Sequence, residues 1–274
     1  MTAAAGLRIT DLTVTYPGPR AGGLVGRRTP ITAVDAVSLE VAPDETLALV
    51  GESGSGKSTI ARAVVGLVAA SAGSIDFDGA SLLNLRPRDQ WARRNIAMIF
   101  QDPRSALNPR LSAAASIGEA WEAHPDVAPE GVRRDQRRRR AAVVDLLAQV
   151  GLDPDVAGKR PTALSGGQCQ RVSIARALAL SPKLLICDEA VSALDVSVQA
   201  QVLQLLVGVR EARSLSMLFI THDLGVVRQV ADRVAVMRRG ELVESADVHT
   251  LFTAPQHDYT QELLAAAVDL DVRS

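Results

Sequence analysis

Cysteine is nearly missing from this chain: Cys169 and Cys187 are the only two in 274 residues. Two thiols cannot make a disulfide framework, and so low a count suits a reducing compartment. Both read as small packing residues, not redox centres. An excess of charge of either sign is also lacking. Lys and Arg number 30 against 31 Asp and Glu, a formal net charge of −1. No bulk electrostatic argument therefore favours nucleic acid or an anionic membrane as partner. No uninterrupted apolar run approaches the roughly 18 residues of a membrane span, since the best stretch, Ile60–Ala70, is broken by Arg62 and Gly66. The opening MTAAAGLRITD has no charged-then-apolar signal pattern, which argues against secretion. No internal repeat or heptad array is visible. These absences predict a soluble, cytosolic chain, long enough for one large domain or two modest lobes.

Two glycine-rich elements stand out. Gly51–Thr59 reads GESGSGKST, the G-x-x-x-x-G-K-S spacing of a phosphate loop. In such a loop the glycines let backbone N–H groups close around phosphates, Lys57 reaches the β/γ-phosphates, and Ser58 offers its hydroxyl to Mg²⁺. The apolar run Leu47–Val50 predicts a buried strand entering the loop, and Ser58–Val68 a helix leaving it. That helix N-terminus adds its own anion-binding field. The second element, Leu164–Arg171, reads LSGGQCQR and predicts a helix over Gln170–Leu180. Ser165 with the Gly166 and Gly167 backbone would form a further anion site at its head.

Around these elements the chain alternates strand and helix. Leu7, Ile9, Leu12, Val14 and Tyr16, then Val34, Val37, Leu39 and Val41, predict antiparallel strands, with Pro17–Pro30 an exposed loop between them. Ser74–Phe77 and Asn95–Phe100 are short β-rich runs. Arg104–Ser181 changes character to Ala-, Arg- and Leu-rich and reads as a helical insertion. Buried strands return at Leu184–Cys187, Met217–Thr221 and Val234–Met237, and Gln261–Val268 reads as a terminal helix. Alternating strand and helix implies a mainly parallel sheet covered on both faces. The strand LLICDE ends in adjacent carboxylates, Asp188 and Glu189, which point to opposite faces and so cannot do the same job. The arginine run Arg137–Arg140, with Arg133 and Arg134, reads as a solvated helical face, the alternative being a patch for acidic partners.

In this order the elements resemble the nucleotide-binding subunit of an ABC transporter over essentially the whole chain. The phrases QDPRSALNPR (Gln101–Arg110), CDEAVSALDVSVQAQVL (Cys187–Leu203) and HDYTQELL (His257–Leu264) resemble the peptide/nickel importer ATPases. The resemblance implies an α/β fold: a P-loop NTPase core with a mainly parallel sheet, an N-terminal antiparallel β-subdomain and an inserted helical subdomain. The whole of 1–274 would be a single ABC ATPase domain. Its core would be 1–103 with 182–250, its helical subdomain 104–181, and its short C-terminal extension 251–274.

The resemblance also assigns roles to residues. ATP would lie on Gly51, Ser53, Gly54, Ser55, Gly56, Lys57, Ser58 and Thr59. Tyr16 would stack on adenine, unless it simply packs on its sheet. Mg²⁺ would be held by Ser58, Gln101 and Asp188. Glu189 would orient or deprotonate the attacking water, Gln101 would contact Mg²⁺ or that water, and His222 would hydrogen-bond the γ-phosphate. Ser165, Gly166, Gly167 and Gln168 would close over the ATP of a head-to-tail partner, with Asp195 of the SALD segment (Ser192–Asp195) at that interface. The partners implied are a second ABC ATPase, usually a paralogue, two transmembrane permease subunits and, indirectly, an extracytoplasmic substrate-binding protein, with no nucleic acid. The chain would sit peripherally on the cytoplasmic face of the membrane, driving import of oligopeptides, dipeptides or a nickel chelate. A soluble enzyme complex such as carbon–phosphorus lyase uses a similar ATPase and is the alternative. Ala190 stands where many relatives carry proline, and no cysteine-rich tail for an iron–sulfur cluster is expected.

Overall fold

The computed structural model describes residues 6–18, 29–83, 90–192 and 194–271. Contacts divide the chain into two compact units, Met1–Asp89 with Leu218–Ser274, and Gln90–Met217. Most of the expected loop between Pro17 and Pro30 lies outside the described residues.

The first unit opens with β1 (Leu7–Tyr16), β2 (Ile31–Val41), β3 (Thr46–Val50), α1 (Lys57–Val64), β4 (Ala72–Phe77) and β5 (Ala80–Ser81). β1 pairs antiparallel with β2 on one side and β4 on the other, giving the order β2-β1-β4-β5. Leu7, Ile9, Leu12 and Val14 are buried, and the jump from Ile9 to Leu12 marks a break in alternation. Asp11 sits there in the left-handed region at φ 48°. The Ser38 hydroxyl accepts its N–H at 2.8 Å and donates to its carboxylate at 3.0 Å. This irregularity restores the inward face after one extra residue.

The second unit runs α2 (Gln90–Arg94), β6 (Ile96–Ile99), α3 (Pro103–Ala106), α4 (Ala113–Ala123), α5 (Gln136–Gln149), α6 (Gly166–Leu178), β7 (Leu184–Asp188) and α7 (Val196–Arg213). β6 and β7 are parallel. Four of the helices begin on side-chain caps: Asp102 for α3, Ser112 for α4, Asp135 for α5, and a reciprocal Ser165/Gln168 capping box for α6. Trp121 of α4 is 2% exposed and donates its indole N–H to the Ala179 carbonyl at 3.0 Å, tying α4 to the end of α6. The arginine run is a solvated face: Arg137, Arg138 and Arg140 are exposed, and Arg139 pairs with Glu122 at 2.7 Å.

β8 (Ser216–Ile220) leads back into the first unit, followed by α8 (Leu224–Val230), β9 (Arg233–Arg238), β10 (Glu241–Asp247), α9 (Val248–Thr253) and α10 (Asp258–Asp271). Here the order is β10-β9-β3-β8, with β3 and β9 parallel and β9 and β10 antiparallel. All five residues of β3 are buried, as a strand covered on both faces requires. Leu251 and Tyr259 from the C-terminal segment join Ala48, Val50, Val227 and Val236 in one core cluster.

The α/β class, the parallel core, the antiparallel β portion and the helical stretch all match the sequence reading. Three details differ. α1 ends at Val64, not Val68, because Gly66 turns the chain at φ 76° and leaves Leu67 62% exposed. α6 starts at Gly166, four residues before the expected Gln170, because Ser165 caps it there. β10 and α9 have no periodicity strong enough to be read from sequence.

Replacing Trp121 by Phe leaves the buried Ala179 carbonyl without its donor. Urea unfolding is expected to show a loss of about 1–3 kcal/mol with an unchanged m value.

Candidate functional site

The sequence GESGSGKST becomes a tight turn because two strands leave no room for side chains. At Gly51 (φ 146°) a Cβ would lie 2.1 Å from the Met237 carbonyl, and at Gly56 (φ 107°) 2.4 Å from the Ala33 carbonyl. The β9–β10 turn holds the loop as well: Gly240 N–H donates to the Ser55 carbonyl at 3.0 Å, while the Gly240 carbonyl accepts from Asp35 N–H at 2.8 Å. Ser55 and Lys57 are buried, at 3% and 4% exposure. The Lys57 ammonium donates to the Gly51 and Glu52 carbonyls, both at 2.7 Å, and to the Ser55 hydroxyl at 3.3 Å. Ser53 and Gly54 face outward, with open space around Gly54. Gly56 caps α1 without a side chain, and no acidic residue opposes an anion in the first turn of α1. Such a loop, with Ser58 and Thr59 half-buried at the head of the helix, fits a polyphosphate.

Two more of the expected residues share this unit. Thr221 N–H donates to the Leu49 carbonyl at 3.2 Å, so the end of β8 lies beside the end of β3. His222 follows, exposed, at the same edge as the loop. Asp223 caps α8 by accepting from Gly225 and Val226. Tyr16 is 36% exposed and pairs with Ile31, itself 53% exposed, two residues from the Ala33 carbonyl that crowds Gly56. An exposed ring there can take a flat partner.

In the second unit β7 delivers Asp188 as its last residue, buried at 3%. Glu189 comes next in the left-handed region at φ 47°, half-buried. A non-glycine residue holds that conformation only where its surroundings demand it. Here the Ser192 hydroxyl and N–H both donate to the Glu189 carbonyl, at 3.0 and 3.2 Å. The Gln101 amide N–H donates to the Glu189 carboxylate at 2.6 Å, bringing together two of the expected catalytic residues across 88 positions. Within this unit Gln101 and Asp188 each carry a side-chain oxygen donor, the chemistry that Mg²⁺ takes. No cluster of three or more His, Cys, Asp or Glu side chains suited to a metal occurs among the described residues.

Ser165 is exposed at the head of α6, with Gly166, Gly167 and Gln168 half-buried behind it. A Cβ on Gly167 would lie 2.5 Å from Val198 of α7, so α6 and α7 approach closely at that point. Asp195 is exposed at the head of α7. Ala193, inside the SALD segment, lies outside the described residues.

The family model for the ABC transporter matches residues 34–192. The chain belongs to the ABC transporter family. It is 45% identical over 262 residues to the probable peptide ABC transporter ATP-binding protein y4tS of Sinorhizobium fredii, covering 95% of this chain and 72% of that one. It is 47% identical over 238 residues to the oligopeptide transport ATP-binding protein OppF of Escherichia coli, covering 86% and 69%. Among solved structures it resembles the dimeric post-hydrolysis state of the ATP-binding cassette MJ0796 bound to ADP and Pi. That match has a TM-score of 0.75 at 28% identity, over 88% of this chain and 98% of the other. The chain is accordingly an ATP-hydrolysing cassette that uses ATP with Mg²⁺.

The contacts that hold these loops leave no mark in the sequence. Arg104, just after the Gln101 loop, donates to the Leu164 carbonyl at 3.3 Å, and Arg176 of α6 donates to the Ala106 carbonyl at 2.7 Å. They are unreadable because an arginine serving a distant carbonyl looks like any surface arginine. Tyr259, whose hydroxyl accepts from Glu52 N–H at 3.2 Å, stands in the sequence only as part of the HDYTQELL phrase. That it is one of only two tyrosines is the one signal that could have singled it out.

Both cysteines are buried, and burial raises both thiols above their ordinary value. A chromogenic disulfide reagent at pH 8 is expected to titrate none in the native chain and two after denaturation.

Proposed function

We propose that this chain is the ATPase subunit of a peptide importer and works as one half of a head-to-tail ATPase pair. The observation that carries the cargo class is the naming of relatives 45–47% identical over 86–95% of the chain, both for peptide transport. The dimeric state of the structural neighbour supports the pairing. Two permeases would contact the helical subdomain, taken as 104–181, near Gln101–Ser116, on the cytoplasmic face of the membrane. Among the described residues no helix is long and apolar enough to cross a membrane. A binding protein would select the cargo, and nucleic acid has no role.

In this reading Gly51–Thr59 bind the phosphates, Lys57 leaving its carbonyl partners for the β/γ-phosphate oxygens. Tyr16 stacks on the adenine. Bound Mg²⁺, held by Ser58, Gln101 and Asp188, would neutralise charge on the β- and γ-phosphates. Glu189 orients water for attack on the γ-phosphorus. The bond to the bridging oxygen breaks, and ADP and phosphate leave. The Gln101–Glu189 hydrogen bond supports a joint role, in which the amide steers the carboxylate and a γ-phosphate competes for the same amide. His222 contacts that phosphate as well. Ser165–Gln168 present their helix N-terminus to the ATP of the partner, with Asp195 beside them.

Tagged Glu189→Gln protein, captured from detergent-solubilised membranes in the presence of ATP, tests this reading. ATP affinity should stay within about threefold, while hydrolysis falls by at least about a hundredfold. Two multi-span permeases and a second ATPase should be recovered with it. Hydrolysis at the parental rate would remove Glu189 from its role, and recovery of soluble partners alone would overturn the importer.

A further inference from the structure

The peptide unit joining Gly51 to Glu52 is gripped at both ends. Its carbonyl accepts from the Lys57 ammonium at 2.7 Å, and its N–H donates to the Tyr259 hydroxyl at 3.2 Å. Lys57 belongs to the loop motif, but Tyr259 lies 207 positions away on α10. The tyrosine is 2% exposed and sits in the core cluster under β3 and β9. Its ring is covered by the Arg238 guanidinium, 4.6 Å from the centroid, at the end of the strand whose Met237 carbonyl crowds Gly51.

The chain entering α10 is fixed as well. Tyr259 N–H donates to His257 Nδ1 at 3.0 Å, and the Glu244 carboxylate of β10 accepts from Gln256 and His257 N–H at 2.8 and 3.0 Å. Burial pushes the phenol above its ordinary value, so the hydroxyl stays protonated and accepts through a lone pair. A residue that only anchored α10 would need the ring; the hydroxyl bonded to the first turn of the loop does something more.

We propose that Tyr259 is a positioning residue of the phosphate loop, holding the Gly51–Glu52 peptide in the orientation that receives nucleotide, so that the C-terminal segment helps set ATP affinity. This rests on the reading of Gly51–Thr59 as the ATP-binding loop. When Lys57 transfers to phosphate, the carbonyl end of the peptide is released and the tyrosine keeps the other end in place. A loop without that hold must be ordered at the moment of binding, which weakens affinity more than turnover.

Tyr259→Phe keeps the ring and removes the hydroxyl. In the full chain, its KM for MgATP and its Kd for a fluorescent ATP analogue should each rise about 5–10-fold. kcat should stay within about twofold. Phe252→Leu is the control. It removes another ring packed on the same cluster, one covered by Arg228 at 4.2 Å, and should lower Tm without moving KM. Lys57→Ala runs beside both and should abolish nucleotide binding.

Parental KM and Kd in Tyr259→Phe, or an equal rise in Phe252→Leu, would overturn the role of the tyrosine while leaving the loop assignment intact. Retained binding in Lys57→Ala would overturn the loop assignment itself. Amide exchange in the parent chain gives a readout that needs no variant. The Glu52 amide should be protected in the absence of nucleotide, and exchange at the rate of an open loop would overturn the proposal.

Discussion

A loop that is to bind phosphate, the role proposed for Gly51–Thr59, has to hold its N–H groups in place before the anion arrives, and here backbone packing supplies that order. The Met237 carbonyl stands where a Gly51 side chain would begin, and the Ala33 carbonyl where a Gly56 side chain would begin. The Gly240 turn then closes on Ser55. The glycines thus permit an approach of strand to loop that any Cβ would block. Lys57 and Tyr259 lock one peptide within that approach, and β3, wholly buried, keeps the base of the loop from moving. Preorganisation of this kind lowers the entropy lost when an anion binds.

The second unit solves a similar problem with arginine. Helix C-termini expose carbonyls that need donors, and guanidinium groups supply them: Arg171 to Val150 after α5, and Arg213 to Leu178 at the end of α6. The spare nitrogens bond Gln201 and Gln149, so each side chain joins two elements. Arg104 and Arg176 extend the scheme to α3, linking the segment after Gln101 to the helix that Ser165 opens. Burial lowers the Arg176 and Arg213 values, yet a guanidinium is so strong a base that it keeps its proton and all its donors. The segment after Gln101 is thus tied to α6 by arginines outside the exposed face of the arginine run.

Strands are the most legible part of the fold, because Leu47–Val50 and Leu184–Cys187 are unbroken apolar runs and Leu7–Val14 alternates up to Asp11. The motif residues are legible because their chemistry is local: glycine, lysine and serine at fixed spacing, or paired acids after a strand. Helix ends are less so. Periodicity carries α1 four residues too far, past a glycine that turns the chain. It also starts α6 late, because the first turn is set by the Ser165/Gln168 capping box and not by apolar spacing. Contacts between residues far apart in sequence, such as Gln101 with Glu189 or Tyr259 with Glu52, leave no periodic trace at all.

Glu189 shows why one of those unreadable contacts matters. Its left-handed backbone costs on the order of 1–3 kcal/mol in a non-glycine residue. A glycine would avoid that cost but supply no carboxylate. The strain separates two neighbours that differ only by one methylene: Asp188 stays buried at the strand end, while Glu189 turns out of strand geometry to a half-buried position within reach of Gln101. Ser192 holds the turn through the Glu189 carbonyl, and buried Ala190 and Val191 anchor the residues between them. The local cost gives two acids in sequence two environments, and different environments are what allow them different roles.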